Sequence, residues 1–162
     1  MPINRIYLGA LALLVVWSTE AIAQKDLKLK FGSWSLNLEK SKFPPGTKPQ
    51  SDTRMYEDGG GGLIKSTHTT VSASGKEALT TYAARFDGKE YPVVTRGSTA
   101  PSTIAFHAID SYSESFVLTR DGKVAVRGTT SISKDGRTMT MILNTTNAQG
   151  EPQQAIDIYE KQ

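Results

Sequence analysis

The chain has 162 residues, a net charge of +3 and no cysteine. Its Lys and Arg residues are scattered singly, which excludes the basic stripe that nucleic-acid binding requires. With no disulfides to staple it, the fold holds together by burial and hydrogen bonding alone.

The N-terminus reads in three zones. Met1 to Arg5 is short and basic, Ile6 to Trp17 is apolar apart from Gly9, and Ser18 to Ala23 ends in Ala21-Ile22-Ala23. This layout predicts a cleavable secretory signal over residues 1–23, cut before Gln24. A run of twelve is too short for a transmembrane anchor, which takes about 20 apolar residues. The chain is therefore expected to be exported, to the periplasm or the medium of a bacterium, with no integral membrane segment after cleavage. Residues 24–162 make one domain. Only Arg5 and Glu20 leave with the signal, so the net charge is unchanged. About a third of the remaining residues are apolar, few for a tightly filled sandwich and suited to a barrel with a partly polar interior.

Past a short lead-in at Lys25 to Lys30, the alternation of apolar and polar residues predicts strands near 33–38, 52–57, 63–72, 78–86, 91–96, 103–109, 115–119, 124–133, 138–145 and 153–160. In the first, Trp34, Leu36 and Leu38 alternate with Ser33, Ser35 and Asn37. Tyr82, Ala84 and Phe86 do so with Thr81, Ala83 and Arg85. Val124, Val126, Gly128, Thr130 and Ile132 share one face of the eighth strand, and Ile156 and Ile158 alternate with Asp157 and Tyr159 in the last. Asp87-Gly88-Lys89, Asp121-Gly122-Lys123 and Asp135-Gly136-Arg137 read as tight hairpin turns, because glycine accepts the positive φ they demand. Gly59 to Gly62 reads as a flexible connection, while Glu39 to Gln50 and Gly97 to Ser102 read as irregular loops. The fold class is all-β: an antiparallel up-and-down meander of about 8–10 strands. Closure into a barrel is the first expectation, since it removes the edges, and an open or sandwiched sheet the second.

Gly32-Ser33-Trp34, opening the first strand of the mature domain, resembles the signature of the calycins, the lipocalins and fatty-acid-binding proteins. The closing Ile156-Asp157-Ile158-Tyr159-Glu160-Lys161 is similar to the last strand of small barrels in that group. The chain also resembles a set of uncharacterised exported bacterial proteins, through Lys40-Ser41-Lys42-Phe43, Phe86-Asp87-Gly88-Lys89-Glu90-Tyr91-Pro92-Val93 and Ser133-Lys134-Asp135-Gly136-Arg137-Thr138-Met139-Thr140. The resemblance implies structural roles for Gly32 and Trp34, with the tryptophan closing one end of the barrel under a basic residue from a late strand. Arg127, Arg137 and Lys161 all stand open for that place. It also implies a small apolar or amphipathic ligand. Residues 39–50 are too short and proline-rich for the helical lid of fatty-acid-binding proteins.

Motifs for catalysis or metal are not apparent. His68 and His107 lie on separate strands outside any ligand-spaced motif and read as surface or strand-face residues. Gly59 to Gly62 followed by Lys65-Ser66 departs from a phosphate-binding loop, with Ile64 where glycine is needed. No Gly-x-Ser-x-Gly elbow or Ser-x-x-Lys context occurs, and the acids mostly sit in turns where Asp is locally favoured. Asn144-Thr145-Thr146 is a glycosylation sequon, without weight in a bacterium. Arg54, Tyr56, Tyr82, Arg85 and Arg127 stand on strands. Facing inward, they would form the polar part of a cavity for an amphiphile with an acidic head; facing outward, they are surface residues. The expected function is a non-enzymatic binding protein with no cofactor or metal. The alternative is a filled barrel acting on a macromolecule, an envelope component or a protease, through the loops Glu39 to Gln50 and Gly97 to Ser102.

Overall fold

The computed structural model describes residues 27–162; the expected signal and its cleavage site lie outside the described residues. After a short 3-10 turn at Leu27–Leu29 come ten strands: β1 (Gly32–Leu36), β2 (Ser51–Gly60), β3 (Leu63–Val71), β4 (Glu77–Ala84), β5 (Asp87–Thr95), β6 (Ser102–Ala108), β7 (Ser113–Arg120), β8 (Lys123–Ile132), β9 (Thr138–Thr146) and β10 (Pro152–Lys161). Each strand pairs antiparallel with its sequence neighbours, and β1 also pairs with β10, so the meander closes into a barrel. The closing register sets Trp34 opposite Lys161 and Leu36 opposite Tyr159, and Asn37 N–H donates to the Ile158 carbonyl at 2.7 Å.

One end of the barrel is built around Trp34, which is fully buried. Its indole Nε1 donates to the Lys30 carbonyl at 2.8 Å, so the segment before β1 is drawn across the opening. Lys161, of the three basic residues left open, lies on the tryptophan: its Nζ is 5.1 Å from the ring centroid and donates to the Leu29 carbonyl at 2.9 Å. Gly32 makes room for this arrangement. Its φ is +112°, and a Cβ there would sit 3.2 Å from Lys161 Cε.

Three details depart from the sequence reading. Asp87-Gly88-Lys89 is not a hairpin turn but a bulge inside β5, where the pairing with β6 steps from Asp87–His107 to Glu90–Ala105. Gly88 has a φ of +75° and lies flat against His107, whose Cε1 would be 2.3 Å from an added Cβ. The alternation in β8 slips at its start, because the β7–β8 ladder shifts between Leu118 and Thr119, and Val124 ends up exposed. In β10 the buried pair is Asp157 and Tyr159, whereas Ile156 and Ile158 are half-buried. Beside those isoleucines the Glu39 to Gln50 loop is pinned to β10 through the Lys42–Ile156 bridge and Ser41 Oγ, which accepts from Ile158 N–H at 2.9 Å.

Gly88→Ala combines a left-handed φ with a clash against the His107 ring, two costs that add. It is expected to destabilise the protein by about 2–3 kcal/mol. Urea unfolding measures this, and a loss under about 0.5 kcal/mol would show that the bulge is not fixed by Gly88.

Candidate functional site

Inward-facing side chains fall into two groups. From β5 to β9 they are mostly apolar: Val93, Ile104, Phe106, Phe116, Leu118 and Met141 line one side of a cavity of about 240 Å³, with Thr95, Ser102, Arg120 and Thr130 among them. Phe106 organises this side, with ring centroids of Tyr82, Phe86 and Phe116 at 5.6, 5.4 and 5.9 Å. From β2 to β4 the lining is polar, and Arg54, Tyr56, His68, Thr80 and Tyr82 face the same space. The strand registers place Arg54, His68, Thr80 and Thr95 directly opposite one another on four successive strands. Of the five residues singled out from the sequence, Arg54, Tyr56 and Tyr82 therefore meet at the cavity. Arg85 and Arg127 do not: both are exposed, and Arg85 Nε donates to the Gly61 carbonyl at 3.1 Å.

Behind Arg54 lies a hydrogen-bonded cluster around Asp52. The Asp52 carboxylate accepts from Thr70 Oγ1 at 2.7 Å, from the Tyr159 hydroxyl at 2.9 Å and from His68 Nε2 at 2.6 Å. Arg54 Nε donates to the Tyr159 oxygen at 2.9 Å and lies 3.6 Å from Asp52 Oδ1. Burial works to raise the Asp52 pKa, but the His68 bond, the Arg54 charge and the Thr70 hydroxyl outweigh it and hold the group below the usual carboxylate range. Burial followed by the Arg54 charge pushes His68 down, so the imidazole is neutral at pH 7. Arg54 stays firmly charged despite its burial, held so by Tyr159, Tyr56 and Asp52. Among the described residues, neither terminal guanidinium nitrogen of Arg54 has a hydrogen-bond acceptor. A part-buried cation with unanswered donors on a cavity wall is a place for an anion.

The floor of the cavity is Lys30. It is 3% exposed, forms an ion pair with Glu114 on β7, and sits 4.8 Å from the Tyr56 ring centroid and 5.4 Å from those of Phe86 and Phe106. Three aromatic faces and a carboxylate surround its Nζ, so Lys30 has partners inside the barrel that the terminal nitrogens of Arg54 lack. Sequence reasoning passed over Lys30, Glu114 and Asp52, and read His68 as a surface or strand-face residue, whereas it lines the cavity and is bonded to Asp52. For His68 and Asp52 no apolar alternation marks the inward face, since their neighbours at two residues are Ser66, Thr70, Gln50 and Arg54.

Asp157 is the odd member. It is 7% exposed, and among the described residues its Oδ1 has no partner. Burial and then the nearby Asp52 charge, against the pull of Arg54, raise its pKa to about 6. Among the described residues no group of three acids or histidines is placed to hold a metal ion. No family model matches the chain, and no curated protein matches it in sequence.

Because the folded pKa of Asp157 exceeds its unfolded value, the native state binds more protons between about pH 4 and 6, and stability falls as pH rises through that window. Asp157→Asn is expected to remove that slope and to be about 1–2 kcal/mol more stable than the parent at pH 7.5, a figure reduced for residual solvent access. Parallel stability–pH curves for the two proteins from urea unfolding would refute it. Glu114→Gln leaves the Lys30 ammonium without its anion and is expected to cost about 3 kcal/mol, whereas Lys30→Met with Glu114→Leu costs less than the single change. A double variant at least as unstable as Glu114→Gln alone would overturn this and show that the ion pair contributes net stability.

Proposed function

We propose that this protein is an exported, calycin-like carrier that binds a small amphipathic anion inside the barrel, with no catalytic step. The observation that carries the proposal is the Arg54 guanidinium, charged, part-buried and presenting unpaired donors to a cavity whose opposite side is mostly apolar. A carboxylate fits a guanidinium bidentately, and Tyr56 and Tyr82 stand beside it as further donors. The Trp34 corner with Lys161 across it supports the calycin likeness, and the cleavable leader read from the sequence supports export.

Size limits the ligand. A cavity of about 150 Å³ takes benzene, so 240 Å³ suits on the order of ten non-hydrogen atoms, the scale of an eight-carbon acid. Its chain, burying about 300 Å² of apolar area, gains roughly 7 kcal/mol, which the cost of association largely cancels. The head group then decides affinity. The open cavity also weighs against a filled barrel that acts through its loops.

Titration calorimetry with octanoate and octan-1-ol tests the proposal. Octanoate is expected to bind at least tenfold more tightly than the alcohol, and Arg54→Gln to abolish that preference, as loss of a hydrogen bond to a charged group implies. Equal affinities in the parent protein, or a preference that survives Arg54→Gln, would overturn it.

A further inference from the structure

The polar side of the cavity contains one group that neither an alkyl chain nor a carboxylate satisfies. His68 Nε2 lies 2.6 Å from Asp52 Oδ2 and 2.7 Å from Thr70 Oγ1. Thr70 already donates its hydroxyl proton to the same carboxylate oxygen, and an ionised carboxylate only accepts, so the proton between His68 and Asp52 belongs to Nε2. The neutral ring therefore carries a bare lone pair on Nδ1. Among the described residues no donor meets it, and His68 lines the cavity.

Its place relative to Arg54 is fixed by register. Arg54 and His68 are direct cross-strand partners on β2 and β3, with both side chains facing inward. Residues so paired have their Cβ atoms about 5 Å apart. A ligand whose carboxylate rests on Arg54 thus has its second or third carbon near the imidazole. There the barrel offers an acceptor, next to a cation that offers only donors. A plain carboxylic acid would leave the imidazole nitrogen unpaired in a confined space, and a hydroxyl on one of those carbons would satisfy it.

We propose that the barrel selects a hydroxycarboxylic acid, a 2- or 3-hydroxyalkanoate of about eight carbons, with Arg54 holding the carboxylate and His68 Nδ1 accepting a hydrogen bond from the hydroxyl. This rests on the reading of Arg54 as the anion site. Asp52 and Thr70 are positioning residues: they fix the tautomer that makes Nδ1 an acceptor, and Asp52 has its charge answered by His68, Thr70, Tyr159 and Arg54. Selection of this kind is stronger than apolar fit can supply, because the wrong ligand leaves a polar atom unmet.

The test compares octanoate with 3-hydroxyoctanoate by titration calorimetry on the full mature chain. The hydroxy acid is expected to bind about tenfold more tightly, the worth of one well-made hydrogen bond in a confined site. In His68→Phe that advantage is expected to shrink below twofold. Because the variant loses the Asp52 bond and its folding is at risk, the same question is put to the parent protein by ¹⁵N spectroscopy of the histidine ring. The Nδ1 resonance of His68 is expected to move upfield with 3-hydroxyoctanoate and to stay in place with octanoate. Equal affinity for the two acids, or an Nδ1 resonance indifferent to the hydroxyl, overturns the inference and leaves the Arg54 carboxylate site standing. Binding of neither acid removes that site, and this inference with it.

Discussion

The whole arrangement hangs on β1, a strand of five residues hydrogen-bonded along both edges, to β10 on one side and β2 on the other. Without it the sheet would have two open margins and its interior would be a wet face. With it, the inward side chains of ten strands share one enclosed volume, and every polar group among them needs a partner inside. Trp34 anchors this strand from within, by packing at the barrel end and by tying Lys30 to the floor through its indole N–H. The floor and the closure are thus one structure, since the backbone that Trp34 holds is the one that delivers the Lys30 ammonium to Glu114.

Enclosure explains the peculiar balance of charges inside. Lys30 and Glu114 neutralise each other, and Asp52 is met from several sides. Arg54 shares its Asp52 neighbour with His68, Thr70 and Tyr159, so it remains only partly answered. Asp157 answers Arg54 at a distance and is itself short of a donor. Such incomplete pairing is expensive in a low-dielectric interior, and it is confined to the β2–β3–β10 side of the barrel. The opposite side is mostly apolar, with Ser102, Arg120 and Thr130 as polar residues on its lining. A fold that concentrates its unmet demands on one wall of a cavity is organised around something that completes them.

Much of this was legible in the chain. Asp-Gly turns and period-two alternation located ten strands and suggested their closure, because a tight turn needs glycine and a meander of that length has edges to hide. Asp87-Gly88 shows where the signal misleads: the same dipeptide serves a bulge when the backbone must flatten against a neighbour such as His107. Alternation also tells which side chains share a face without telling which face is inside. On β10 the isoleucines look like the core, yet Asp157 and Tyr159 are buried, because β2 and β3 already supply a polar lining that receives them. For the same reason Arg54 and Arg127 were indistinguishable in the sequence, and only register set the first inside and the second out. Lys30 was beyond reach, since its burial depends on a tertiary contact with Trp34 and Glu114 that no local pattern encodes.

The seam between β4 and β5 has a consequence for traffic through the wall. The two strands pair only through Thr80–Thr95, Thr81–Val94 and Tyr82–Val93. Below that point Ala83 and Ala84 pair only with β3, while Glu90, Tyr91 and Pro92 pair only with β6. Phe86, in the connection between the two strands, packs on Phe106 of β6, and the Tyr91 hydroxyl donates to Asp87 within β5 itself, so neither contact ties β4 to β5. The ladders joining β2 to β4 and β6 to β10 run along most of their strands, while β1 is joined to β10 by three pairs like this one. Where the β4–β5 ladder stops, the two staves can part without breaking backbone bonds between them. A cask loosens first at a short joint, at a cost far below that of unfolding.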